Sequence, residues 1–164
     1  MTNLVSGSKF PLFVLFAICL VATFSVGCGA KKTPADEAKA SMEELLKACQ
    51  KQDAEAARKF LDGKSMADNA VKTALEGAQK RGTILSPDVQ EKLRSVLERT
   101  PEVPMFQKTP DQLDKMLQTL TTAAEGENAN IITARADNGR EKMIYQLERK
   151  GAVWMVVSFK VDKP

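Results

Sequence analysis

The chain has 164 residues with 24 basic and 21 acidic side chains, a formal charge of +3 and no histidine. This near balance of charge argues against nucleic acid as a partner. The absence of histidine removes the usual general base at neutral pH, the Ser-His-Asp and Cys-His arrangements and the most common zinc ligand. No glycine-rich phosphate loop occurs either. We therefore expect neither a metal site nor a cofactor.

The amino-terminal segment has the layout of a signal peptide. Residues 1–9 carry one basic side chain, Lys9, and no acid, and residues 10–26 are uncharged and mostly apolar. The uncharged run is also just long enough to span a bilayer. An uncleaved membrane helix is therefore one alternative, and a secreted product without lipid is another.

The end of this segment points to a lipid anchor. Residues 25–28, Ser-Val-Gly-Cys, resemble the lipobox of bacterial lipoproteins, although Ser25 stands where an aliphatic residue is usual. The resemblance implies a cleaved signal peptide over residues 1–27, lipid on Cys28 and a short tether over residues 28–32. It also implies attachment to a membrane of the cell envelope on its periplasmic side. Because Gly29 is not the aspartate typical of inner-membrane retention, the outer membrane is favoured.

Residues 33–164 are expected to form one domain, since cleavage leaves 137 residues, about the size of a single core. Cys19 leaves with the signal peptide and Cys28 takes the lipid, so Cys49 has no partner for an intramolecular disulfide. Cys49 lies on an apolar helical stripe, and we interpret it as a small buried hydrophobe. A reactive thiol or an intermolecular bridge is the alternative.

Helix starts are marked by a hydroxyl cap followed by proline, at Thr33-Pro34, Ser86-Pro87 and Thr109-Pro110. A second, short helix is predicted between Asp53 and Asp62-Gly63.

A third helix is predicted to open with a capping box at Ser65–Asp68 and to end at Gly82. Two prolines within residues 100–104 predict a turn or an extended linker. The pattern is ambiguous from Thr119, where we favour the end of a short helix and then a strand to about Glu125.

The last third predicts antiparallel strands. Asp137-Asn138-Gly139 is a hairpin turn signal, and Lys150-Gly151 predicts the next turn. The odd-numbered apolar residues of both final strands are expected to face the helices. This assignment leaves three side chains on the opposite face as a possible surface for a ligand or a partner: Ile144, Trp154 and Val156.

Helices followed by a meander that ends in Gly151-Ala-Val-Trp-Met-Val-Val157 resemble the nuclear-transport-factor-like and cystatin-like α+β superfamily. The resemblance implies an α+β fold, with N-terminal helices packed on one face of a three- to four-stranded antiparallel meander that encloses a cone. Members include enzymes, ligand binders and assembly modules, so the fold does not choose a function. The helical segment 65–99 is longer than the family pattern, and we consider that it plugs the cone.

Three functional hypotheses follow. The first is a non-enzymatic, membrane-anchored envelope domain that binds a protein partner or a small apolar ligand. The second is a cone-type enzyme with an Asp or Glu base and Tyr145 as a hydrogen-bond donor. The third is an envelope assembly component that packs on another chain through the helical face around Ala67, Ala70 and Ala74.

Overall fold

The structure is a computed structural model that describes residues 32–125 and 128–162. The predicted signal peptide, the lipid site at Cys28 and the tether up to residue 31 lie outside the described residues. From Lys32 onward the chain forms one compact unit. Within the described ranges, none of the helices combines the length and the apolar character that crossing a bilayer requires.

Six helices precede four strands along this part of the chain. The helices are α1 (Pro34–Gln50), α2 (Ala54–Arg58), α3 (Gly63–Lys80), α4 (Pro87–Arg99), α5 (Val103–Phe106) and α6 (Pro110–Thr119). The strands are β1 (Thr121–Glu125), β2 (Asn128–Asp137), β3 (Lys142–Lys150) and β4 (Val153–Asp162). Their order in the sheet is β1-β2-β3-β4, and all neighbours are antiparallel. The α+β prediction with a C-terminal antiparallel meander is confirmed.

The predicted helix starts are confirmed where a hydroxyl precedes proline. The Asp36 backbone N–H donates to Thr33 Oγ1 at 3.2 Å, and the Asp36 carboxylate accepts from the Thr33 backbone N–H. The same reciprocal capping box joins Thr109 and Gln112 at the start of α6. Each box satisfies backbone donors that the first helical turn leaves without partners.

The start of α3 differs from its prediction. Asp62 is the cap residue, and its carboxylate accepts from the Ser65 backbone N–H at 3.0 Å, so the predicted capping box at Ser65 is wrong. The reason is tertiary, because residues 60–62 run beside β4. The Val156 backbone N–H donates to the Phe60 carbonyl at 2.8 Å, and the Asp62 N–H donates to the Val156 carbonyl at 3.0 Å. This pairing ends the preceding helix early and leaves Asp62 free to cap the next one.

Two further segments, residues 100–104 and the residues after Thr119, also have defined structures. Residues 100–104 were expected to form a turn or a linker, and residues 101 and 102 do form a turn. The next residues differ from the prediction, because Val103–Phe106 is a short helix with a proline in its first turn. Proline is tolerated there because the first turn does not use its N–H groups. The change from helix to strand that we favoured after Thr119 is confirmed, with α6 ending at Thr119 and β1 beginning at Thr121.

One face of the sheet, which we call the inner face, carries the main core. Helices α1 and α6 pack on it. The apolar stripe of α1, which includes Cys49, is buried there as the sequence predicts. The inner face contributes large side chains from the last three strands: Ile132, Met143, Tyr145, Leu147, Trp154 and Val156.

A β-bulge in β4 overturns the predicted facing of that strand. Gln146 pairs with Ser158, but Leu147 pairs with Val156, so Val157 is an extra residue between them. The bulge moves the residues before it to the opposite face. Trp154 and Val156 are therefore buried on the inner face, only 2% and 1% exposed, whereas Val153 and Met155 point away. The expectation that the odd-numbered residues of β4 all face the helices is wrong before the bulge.

Candidate functional site

A cleft of about 560 Å³ lies between the opposite face of the sheet, the outer face, and the helical hairpin formed by α3 and α4. Its volume falls within the range of roughly 300 to 1,000 Å³ that is typical of ligand pockets. The helical segment 65–99, which we considered as a plug for the cone of the resembled fold, borders this cleft. The hairpin supplies one wall of the cleft, and the strands supply the floor.

The wall of the cleft is apolar. Met66 and Leu97 are buried and fix its base, while Ala70, Ala74 and Leu93 are partly exposed to the cleft. The two alanines leave room because their side chains are short. The sequence predicted that the face around Ala67, Ala70 and Ala74 packs on another chain. In the structure Ala70 and Ala74 line the cleft, and Ala67 is fully buried.

The floor of the cleft mixes polar and apolar side chains. Ser158 Oγ donates to Gln146 Oε1 at 3.2 Å, and Thr133 Oγ1 donates to Glu125 Oε1. These polar groups already have partners, and Ile144, Phe159 and Lys160 also line the cleft on this side. The floor can therefore lie against an apolar group without leaving these polar groups unpaired.

The bulge in β4 also fixes the position of the wall. Asn69 of α3 donates from Nδ2 to the carbonyl of Val157 at 3.0 Å, and Val157 is the bulged residue. Five further buried apolar residues lie on the helical hairpin and at the bulge and do not belong to the main core: Ala67, Val71, Ala78, Leu97 and Val157. The helical hairpin is thus fastened to β4 along one edge of the cleft.

The three side chains predicted to form one surface lie on two faces. Ile144 is in the cleft on the outer face, as the sequence indicated. Trp154 and Val156 are buried on the inner face, and Trp154 Nε1 donates to Glu37 Oε2 of α1 at 3.4 Å. Alternation along β4 carried no signal for the bulge, which is why Trp154 and Val156 were assigned to the wrong face. Ser158 and Lys160, after the bulge, do lie on the face that alternation gives them, with Ile144, although we did not include them in the predicted surface.

Both kinds of group suggested for enzymatic chemistry, a carboxylate at Glu125 and Tyr145, line the cleft, but the hydroxyl of Tyr145 is directed away from it. Tyr145 is buried, which raises the pKa of its hydroxyl far above the usual range, and the hydroxyl donates to Met105 Sδ at 3.2 Å. That bond lies in the main core, so the hydroxyl is not free to donate to a substrate. Glu125, the single acidic residue of the described chain that lines the cleft, is exposed and accepts from Thr133. Within residues 32–125 and 128–162, no group of three or more acids and cysteines is placed to hold a metal ion.

The only cysteine in the described part of the chain is fully buried. Desolvation raises the pKa of Cys49 to about 12, and the nearby carboxylate of Glu102 adds to the effect. The thiol is therefore protonated at neutral pH and shielded from solvent, as expected for a small buried hydrophobe.

Comparisons with protein-family models, with curated proteins and with solved structures gave no match to this chain. The resemblances drawn from the lipobox and from the order of helices and strands therefore stay predictions. The functional argument depends on the cleft and on the residues that line it.

Proposed function

We propose that the chain is a lipid-anchored protein of the cell envelope whose single domain binds a small apolar or amphipathic ligand without catalysing a reaction. The observation that carries the binding proposal is the cleft between the helical hairpin and the outer face of the sheet. Its apolar wall is preformed, and its polar floor already satisfies its own hydrogen bonds. Such a site favours binding by burial of apolar surface, with a few polar contacts to orient the ligand.

The anchor proposal depends on Cys28 and on the position of the domain behind it. Helix α1 begins at Pro34, so four residues lie between the lipidated cysteine and the cap residue of the helix, Thr33. Two or more acyl chains on one residue would hold a domain of this size stably, because each buried methylene contributes about 0.8 kcal/mol. A ligand carried in the cleft would then stay close to the membrane surface.

The cleft can be tested with an amphipathic fluorescent probe, the aromatic anion 1-anilinonaphthalene-8-sulfonate. Replacing Ala74 with tryptophan fills the cleft from its wall, and replacing Gln79 with tryptophan adds the same side chain at an exposed position of α3. We expect the folded wild-type protein and Gln79→Trp to bind the probe. We expect Ala74→Trp to bind it at least about tenfold more weakly, a loss of roughly 1.4 kcal/mol.

Circular dichroism and thermal melting would show whether Ala74→Trp stays folded. If it does not, Ile144→Asp tests the same cleft from the floor. Unchanged probe affinity in a folded cleft variant would overturn the binding proposal. A folded cleft variant that still binds the probe but no longer binds a protein that the wild type binds would instead indicate a protein partner as the ligand.

The anchor is tested separately by metabolic labelling with a fatty-acid probe. We expect the wild type to incorporate the probe and Cys28→Ala to lose incorporation, because the acyl chains are attached through that residue. Equal labelling of the two proteins would contradict the anchor proposal and leave the cleft proposal untouched.

A further inference from the structure

The tip of the helical hairpin, residues 80–85, exposes a large apolar side chain almost completely. Ile84 is 97% exposed, whereas the other exposed large apolar residues of the described chain range from 37% to 57%. A single exposed aliphatic residue is common on protein surfaces. The shape and charge of the segment around Ile84 distinguish this one.

Hydrogen bonds on both sides of Ile84 define the path of the backbone at the tip. The Thr83 backbone N–H and hydroxyl both donate to the Ala78 carbonyl, at 2.9 and 3.1 Å. Gly82 has a φ of +66°, the left-handed conformation that ends many helices. On the other side of the tip, Gln90 Nε2 donates to the Leu85 carbonyl at 2.9 Å. These bonds hold the backbone on both sides of Ile84.

The tip is also cationic. Lys80 and Arg81 come directly before Gly82, and residues 77–87 contain no acidic side chain. Both basic side chains are exposed, and neither forms an ion pair with a described residue. Helix α4 packs mainly on α3, so little else surrounds the end of the hairpin.

We propose that this tip contacts an anionic lipid surface, with Ile84 entering the interface while Lys80 and Arg81 lie against the phosphate groups. An exposed aliphatic side chain beside two unpaired cations is complementary to the boundary between anionic head groups and acyl chains. A cleft on another protein would complement the isoleucine, but it would need acidic groups on its rim as well. An anionic lipid surface provides both an apolar region for Ile84 and negative charge for Lys80 and Arg81.

The contact orients the domain and does not attach it. One aliphatic residue and two basic residues bind weakly alone, and the anchor supplies the high local concentration that such a contact requires. For this reason the inference rests on the anchor proposed above. It is independent of the cleft, which lies along the side of the hairpin.

The test uses the full, lipidated chain in vesicles, with an environment-sensitive NBD fluorophore attached to Ile84→Cys. Cys49 is buried and Cys28 carries the lipid, so only the introduced thiol should react. Lys72→Cys, at an exposed position in the middle of α3, is the matched control. Vesicles of phosphatidylcholine alone are compared with vesicles that also contain phosphatidylglycerol, and both carry a quencher on the lipid chains.

In the anionic vesicles we expect the emission at position 84 to shift to shorter wavelength and to be quenched, and the emission at position 72 to do neither. Changing Lys80 or Arg81 to glutamine should lower the ratio of inserted to free tips about fivefold for each lost cation. Aqueous emission without quenching at position 84 in anionic vesicles would overturn the proposal. A blue shift that appears without vesicles and rises with protein concentration would also overturn it, because a second copy would then cover Ile84.

The labelling control separates this proposal from the anchor. If the wild type itself accepts the fluorophore, Cys28 is free and the anchor proposal fails. The tip is then examined in the Cys28→Ala background with an amino-terminal hexahistidine tag that holds the protein on vesicles containing a nickel-chelating lipid, which restores the high local concentration. Quenching at position 84 then supports the lipid contact, and its absence rejects it.

Discussion

The two faces of the sheet share the same strands and differ in almost everything else. On the inner face, Tyr145, Leu147 and Trp154 are buried under α1 and α6. On the outer face, Ile144, Gln146 and other floor residues are only partly covered by the helical hairpin. The inner face therefore supplies most of the buried core that stabilises the fold, whereas the outer face stays accessible to a ligand.

The difference has a simple physical cause. Large apolar side chains on the inner face gain stability only if water is excluded, so helices pack on them closely. On the outer face the polar side chains bond to one another, as in the pair Gln146 and Ser158, and tolerate water. A cleft can therefore stay open there at little cost in stability.

The largest expected effect is a difference in the free energy of unfolding when one large apolar residue on each face is replaced with alanine. We expect Trp154→Ala to lower the free energy of unfolding by about 3 to 5 kcal/mol, because it leaves a cavity in the main core and removes the bond to Glu37. Ile144→Ala, in the partly open cleft, should cost about 1 kcal/mol or less. Urea denaturation of the two variants measures both values.

Equal losses from Trp154→Ala and Ile144→Ala would show that the outer face is packed as tightly as the inner one. That result would argue against a preformed cleft. Weaker probe binding by Ile144→Ala, with its stability retained, would sharpen the distinction between the two faces.

A second, smaller effect is expected from the ion pair at the border of the main core. Arg58 donates to both carboxylate oxygens of Glu102, at 2.6 and 3.0 Å, and Glu102 is only 4% exposed. Glu102→Gln should lower the free energy of unfolding at neutral pH by about 1.5 to 3 kcal/mol, since it weakens a charge-assisted pair.

The same pair predicts a dependence on pH. The hydrogen bonds from Arg58 lower the pKa of Glu102 below its ordinary value of 4.5 in the folded protein. The unfolded chain therefore binds the proton first as the pH falls, so this stabilisation is present above pH 4.5 and is lost as the pH falls through the folded pKa. The difference between wild type and Glu102→Gln should shrink over that range. A difference that stays constant with pH would mean that the charge of Glu102 does not contribute.

The smallest expected effect concerns the helical hairpin, where two glycines of α3 form a matched pair. A Cβ at Gly63 would lie 3.1 Å from the backbone carbonyl oxygens of Leu97 and Glu98, whereas at Gly77 its nearest neighbours are the guanidinium nitrogens of Arg81, at 3.9 Å. We expect Gly63→Ala to destabilise the protein by about 1 kcal/mol through this close approach of α3 and α4. Gly77→Ala should stabilise it by about 0.5 to 1 kcal/mol.

Thermal melting distinguishes the two glycine variants by the sign of the shift in midpoint temperature. Stabilisation by Gly63→Ala would mean that the end of α4 moves easily. In that case hydrogen exchange in α4 should report local opening at low free energy.

Local sequence signals were sufficient wherever one short segment determines its own structure. The pairs Thr33-Pro34 and Thr109-Pro110 start helices because the cap and the proline act within a single turn. The turn at residues 137–139 forms because Asn138 Oδ1 accepts backbone N–H bonds nearby and Gly139 adopts a positive φ. The strand that follows α6 was likewise predicted from its run of β-branched residues.

Local sequence patterns gave wrong predictions where residues distant in the chain compete for the same backbone hydrogen-bonding groups. Residues 60–62 pair with β4, and this pairing moves the start of α3 away from the capping box at Ser65. The bulge at Val157 breaks the alternation of β4 without a glycine or proline to mark it. Because alternation was the only guide, it assigned Trp154 to the wrong face.

Periodicity and contacts within a few residues were sufficient to predict the α+β class, most of the helix starts and both final hairpins. Which side chains meet across the sheet depended on long-range strand pairing. A shift of one residue in β4 exchanges its two faces, so one bulge put Trp154 and Val156 in the core, while Ser158 and Lys160 beyond it lie on the cleft side with Ile144. The candidate site is therefore a consequence of strand register, which composition and local pattern do not encode.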